Sequence, residues 1–144
     1  MSYDLMVFQM NAAPLRKKEF MEWYENQTEW TEDHSYDDPK NTSDELRNWY
    51  VEMQESFPDL NGPNASDPTE NPNETDYGIG RNVVYAAFSW SQAGIAYQKT
   101  TELAAKHKVG FFDASGSSDI WIPDGNGELK ILKESEKKPW WKFW

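Results

Sequence analysis

Apolar side chains recur along this chain with two different periods, and the changes of period mark out its elements. Tyr3, Leu5 and Val7 alternate with Asp4, Met6 and Phe8. This run of β-formers predicts a first strand, buried on both faces toward its end. A helix is expected from Asn11 to Pro14 onward, with Phe20, Trp23, Tyr24 and Gln27 on one face and Glu19, Glu22, Glu25 and Glu29 on the opposite one. Such a helix buries rings and presents acids. Thr42-Ser43-Asp44-Glu45 has the form of a capping box led by the Thr42 hydroxyl. Leu46, Trp49, Tyr50, Met53 and Phe57 then make the stripe of a second helix, which Phe57-Pro58 ends.

Residues 58 to 76 contain four prolines, four asparagines and no basic residue, a composition that predicts a long acidic loop. Tyr77 and Ile79 and then residues 83 to 90, "VVYAAFSW", read as strands separated by Gly80-Arg81-Asn82. A hairpin is the first reading and a bulged single strand the second. Ser91 is placed to cap a third helix whose inner face carries Ala93, Ala96, Tyr97, Thr100, Leu103, Ala104 and His107. "VGFFD", residues 109 to 113, has the character of a strand at a sheet centre, and "DIWIP" and "ELKIL" frame a Gly-rich turn. The order predicts an α+β fold: an antiparallel sheet with helices on one face. Its core is ferredoxin-like β-α-(α)-β-β-α-β, the second helix and the C-terminal hairpin being additions.

With 144 residues, the chain fits a single domain over residues 1–144. Eight of those residues are Trp, so a polar average conceals large rings that must be buried or engaged. No run approaches the ~18 apolar residues of a membrane span, and "MSYDLMVF" lacks the basic and apolar regions of a secretory signal. A cytoplasmic location is expected. The chain has no cysteine, which excludes disulfides and thiolate chemistry.

Charge changes the picture more than composition does. Residues 19 to 76 hold 17 Asp and Glu against Lys40 and Arg47, a balance of −15, while residues 1 to 18 and 77 to 144 are each +2. A block of this kind repels phosphate backbones, so nucleic acid is not an expected partner. It instead accelerates encounter with a basic protein. Solubility of an aromatic-rich chain is the plainer explanation of the same charge.

The densest stretch is "EWTEDHSYDD", where His34 stands among Glu29, Glu32, Asp33, Asp37 and Asp38 with Trp30 and Tyr36 interleaved. These eight residues are the candidate partner-binding surface. As a metal site the stretch lacks a second histidine at helical or hairpin spacing, and His107 reads as a packed or capping side chain. Asp67 to Asp76 offers oxygen ligands, but Pro72 stands where a calcium loop needs glycine. There is no G-x-S-x-G, no H-E-x-x-H and no phosphate-cradling glycine loop. Neither a metal nor a cofactor is therefore expected. If a ligand cleft or an enzymatic activity exists, Arg81, Asp113 and His34 are its candidates, with Arg81 otherwise pairing with a carboxylate.

The tail, residues 133 to 144, brings Trp140, Trp141, Phe143 and Trp144 together with Lys137, Lys138 and Lys142. It has three readings: folding back on its own domain, packing against a second copy as a homodimer contact, or anchoring at a membrane surface. The acidic domain opposes a membrane, which leaves docking onto protein.

"SYDLMVF", "FMEWYENQTEW", "YGIGRNVVYAAFSWSQA" and "AAKHKVGFFDASG" resemble small acidic bacterial proteins of unassigned activity. In size, acidity and α+β layout the chain is also loosely similar to bacterial immunity proteins. That resemblance implies a non-enzymatic protein that neutralises a basic toxin by binding it, and it carries no site residues. The alternative is a small-molecule binder or enzyme.

Overall fold

The computed structural model describes residues 2–62 and 71–132. Strand β1 (Tyr3–Phe8) sits near the middle of one six-stranded antiparallel sheet, in the order β2-β3-β1-β4-β5-β6. β2 (Asp76–Ile79) and β3 (Val83–Phe88) form the expected hairpin, and β3 pairs along the whole of β1, from Tyr3 opposite Phe88 to Phe8 opposite Val83. On the other side of β1 lies β4 (Gly110–Phe112). The hairpin of β5 (Ile120–Pro123) and β6 (Leu129–Ile131) extends that edge. Its turn contains Gly125 and Gly127, both at positive φ. Read from β2 to β4, the strand order is that of a ferredoxin-like core, and the fold is α+β.

Helices α2 (Asp44–Met53) and α3 (Ala93–His107) share one face. Leu46, Trp49 and Met53 meet Leu103 and Ala104 over Leu5 and Val7, and Trp49 Nε1 donates to the Thr100 carbonyl at 3.2 Å. The expectation of helices on one face holds for these two. It does not hold for α1 (Lys17–Gln27), which covers the opposite face through Phe20, packed 5.0 Å from Phe8 and 5.3 Å from Phe112 between ring centroids. The reason lies in β1: Leu5-Met6-Val7-Phe8 are all fully buried, and a strand apolar on both faces needs a layer on each. α2 is therefore the crossover helix of the core, and α1 is the addition.

Boundaries also differ. Arg16 precedes α1, so the helix starts after Pro14 and not from Asn11 to Pro14. The cap of α2 is Ser43, whose Oγ accepts from Leu46 N at 3.3 Å. Thr42 is buried and donates to the Arg81 carbonyl. α2 ends at Met53, and Phe57 is buried in the following turn, its N–H on the Met53 carbonyl. A 3₁₀ turn, Trp90–Gln92, leads into α3, where Gln92 occupies the cap position expected of Ser91.

The long loop is pinned at its base. Asp59 and Thr75 bridge in parallel, Leu60 N donates to Thr75 O and Thr75 N to Pro58 O, each at 2.9 Å. The readings for the middle of that loop and for Trp140, Trp141, Phe143 and Trp144 lie outside the described residues. Among the described residues no helix is long and apolar enough to cross a membrane.

Candidate functional site

The acidic stretch after α1 is shaped by its two aromatic rings and by the sheet edge. Thr28 closes α1, its N–H and hydroxyl both on the Tyr24 carbonyl, and Trp30 then adopts a left-handed conformation at φ 55°. That turn lays the indole on Gly78, where a Cβ would stand 3.0 Å from the ring. Tyr36 packs edge-on against Trp30 at 4.9 Å, its hydroxyl accepts from Glu32 N at 2.7 Å, and its carbonyl accepts from Ile79 N on β2 at 2.9 Å. Trp30 and Tyr36 are thus half-buried against the sheet. Interleaved with the acids in sequence, the two rings do not stand out from the surface but line and roof a recess.

Beside them, His34 Nε2 lies 2.6 Å from Glu32 Oε1 and Nδ1 lies 2.8 Å from the Ser35 carbonyl. Arg81 joins from the β2–β3 turn, its amide on Glu32 Oε1 at 3.1 Å and its guanidinium on Asp33 at 2.6 Å. Arg81 does pair with a carboxylate, though both side chains are well exposed and such a pair contributes at most about 1 kcal/mol. Asp38 accepts from Lys40 N and caps a short 3₁₀ turn, while Glu29, Asp33 and Asp37 are exposed. Among the described residues no group of three His, Asp or Glu is placed to hold a metal ion.

Arg81 and Asp113 are not brought together. Arg81 lies in the turn beside the Phe8 end of β1, since Gln9 N donates to Asn82 O. Asp113 lies near the opposite end, where Ser115 N donates to Asp4 O. Four residues of strand separate Phe8 from Asp4, on the order of 13 Å. Asp113 is buried and accepts from Ser117 N and Oγ at 3.3 Å, so it organises its own turn. A Cβ at Gly116 would meet its carboxylate at 2.5 Å. His107 bonds Glu52 of α2 at 2.9 Å, in keeping with a packing role.

The space under the roof is a recess of about 560 Å³ between the end of α1, the Trp30–Asp37 segment and the sheet. A cross-strand row runs from Asp4 and Ala87 at its floor to exposed Asp76 at the sheet edge, with Tyr85 and Gly78 paired in the next row. Tyr24 and Thr28 make one wall. The Tyr85 hydroxyl donates to Asp4 Oδ2 and the Ser2 hydroxyl to Oδ1, each at 2.5 Å. Burial, reinforced by the bond to Asp4, pushes the Tyr85 hydroxyl far above its ordinary range. Burial also raises Tyr24, offset in part by a bond with Tyr85.

Three carboxylates, Asp4, Asp37 and Asp76, line the recess, and among the described residues no lysine, arginine or histidine does. α1 ends beside it with no basic residue in its last turn, so the negative end of the helix dipole adds to the field. Just behind, buried Asp59 accepts from Tyr50 at 2.6 Å. Its carboxyl is raised by burial first, and also by Asp76 and Asp37.

Asp4, Tyr24, Asp76 and Tyr85 were outside the sequence candidates. Asp4 had a signal, as the one acid within an otherwise apolar strand. The others acquire their place only through strand register and the position of α1. No family model, curated protein or solved structure matches this chain.

Proposed function

We propose that this chain is a non-enzymatic binding protein whose α1 face engages a basic protein, in the manner of an immunity-type protein that neutralises a toxin. The observation that supports the reading is the recess itself, walled by rings and carboxylates with no lysine, arginine or histidine among the described residues that line it. Exposed Glu25, Glu29, Asp37 and Asp76 around that region steer a basic surface and set its orientation. The recessed rings supply the desolvated contact that exposed charge alone does not.

Affinity capture with the tagged full chain at low salt is expected to recover a basic protein. Asp37→Asn combined with Glu29→Gln then slows association several-fold and leaves dissociation nearly unchanged, because rim charges act mainly on the encounter rate. Failure to recover a basic partner, or association indifferent to these changes, overturns the reading.

A second reading is a small-molecule binder, favoured by the recess volume, which falls within the roughly 300–1,000 Å³ of ligand pockets. It places the ligand at the α1 face, away from the cleft near Arg81, Asp113 and His34 that the sequence suggests. Native mass spectrometry that finds a copurifying organic ligand, absent when Ala87→Leu fills the floor, would favour it.

A further inference from the structure

We propose that the recess takes a protonated alkylamine, the end of a lysine side chain of the partner, with Tyr24, Trp30, Tyr36 and Tyr85 around the alkyl chain and Asp4, Asp37 and Asp76 toward the ammonium. The inference rests on the basic-partner reading and names the group that reaches deepest.

The walls favour a primary ammonium over other cations. A hard metal ion needs several oxygens at about 2.0–2.6 Å, and no such grouping exists among the described residues. Aromatic faces instead attract an organic cation, through the negative face of each ring. A guanidinium is recognised best by both oxygens of one carboxylate at once. That fork is poorly matched at two of the three carboxylates: Asp4 has one oxygen on Tyr85 and the other on Ser2, and Asp76 Oδ1 accepts from Asn61 at 3.1 Å. An ammonium with three separate donors suits single oxygens on different carboxylates. A quaternary ammonium has no donor to offer them.

Geometry also fits a slender chain entering from the edge of β2. Asp37 and Asp76 are exposed, whereas Asp4 and Tyr85 are only part-accessible at the floor. The surface acids Asp37 and Asp76 therefore meet the cation first, Asp4 receives it toward the floor, and the rings enclose the methylenes behind it. Lysine methylenes pack readily along apolar surface, and here carboxylates take the place of water around the charged head.

The test is an NMR titration of the full isotope-labelled chain with Nα-acetyl-lysine methylamide, its norleucine analogue and choline. Lysine is expected to shift the Trp30 indole and the Gly78 and Ala87 amides, the norleucine analogue to shift none of them, and choline to bind more weakly. Ala87→Leu fills the floor without removing a charge and is expected to weaken lysine binding by roughly tenfold or more. Asp76→Asn, at an exposed position, provides a second variant, expected to weaken it several-fold. Absence of lysine-induced shifts at these residues, equal shifts from norleucine, or choline binding as well as lysine overturns the inference. The captured partner separates the two levels. If Ala87→Leu leaves its affinity unchanged while Asp37→Asn with Glu29→Gln slows it, the lysine pocket falls and the acidic-surface reading stands. If the wild-type chain captures no basic protein, the reading itself falls, whatever lysine does.

Discussion

At the scale of single residues, two kinds of position govern this protein: close approaches and buried carboxyls. Gly110 is the sharpest close approach, since a Cβ there would stand 2.1 Å from Phe8 at the crossing of β1 and β4. Neither a strand backbone nor a buried ring moves freely, so Gly110→Ala is expected to cost about 2–4 kcal/mol in urea unfolding. A value near zero would mean that Phe8 has room the packing denies it. Asp59 and Glu52 give pH effects of opposite sign. Burial raises the Asp59 carboxyl above its ordinary 3.8, so its contribution is fully present below that value and is lost as pH rises through the folded-state value. Glu52 is lowered from 4.5 by hydrogen bonds from Lys106 and then His107. Its contribution is present above 4.5 and is lost as pH falls through the lowered value. Unfolding midpoints across the acid range are therefore expected to change slope in opposite directions for Asp59→Asn and Glu52→Gln.

At the scale of elements, α2 offers a decisive comparison. Ser43→Ala removes the hydroxyl that accepts from Leu46 N and is expected to cost about 1 kcal/mol, the usual loss of an N-cap. Thr42→Ser keeps a hydroxyl for Arg81 O and leaves the cap intact, so any loss it causes comes from its buried methyl group. The four-residue pattern locates the helix start but does not decide which of two adjacent hydroxyls points inward. That decision belongs to the tertiary contact between Thr42 and the β2–β3 turn. The same limit applies elsewhere. β1, the hairpins and the aromatic faces of α1 and α2 were legible because period and turn residues act locally. The side on which α1 packs is not fixed by its own periodicity; the apolar run Leu5-Met6-Val7-Phe8 is the clue that both faces of β1 need cover. That Arg81 pairs with a carboxylate was legible, but that the carboxylate is Asp33, with Glu32 and His34 beside it, follows only from the packing of that segment against the β2–β3 turn. Asp113 was not separable from them by sequence, because only strand order sends it to the other end of β1.

At the scale of the molecule, the −15 of residues 19 to 76 does not form one uniform surface. α1 and the segment after it carry acids on one face of the sheet, and α2 carries others on the opposite face. Several are already engaged: Glu52 with Lys106 and His107, Asp44 with Arg47, and Asp33 with Arg81. On the proposed reading, the charge that acts in recognition lies around the aromatic recess, where Asp37 and Asp76 are exposed and no basic side chain of the described residues lines the space. The most direct test of that claim is the association rate of the captured basic partner as a function of ionic strength. As salt rises from roughly 0.01 to 0.15 M the Debye length contracts from about 30 to about 8 Å. The account predicts an association rate that falls about tenfold or more over that range, with a shallower fall for Asp37→Asn with Asp76→Asn. A rate independent of salt, or the same salt dependence in the variant as in the wild type, would contradict it.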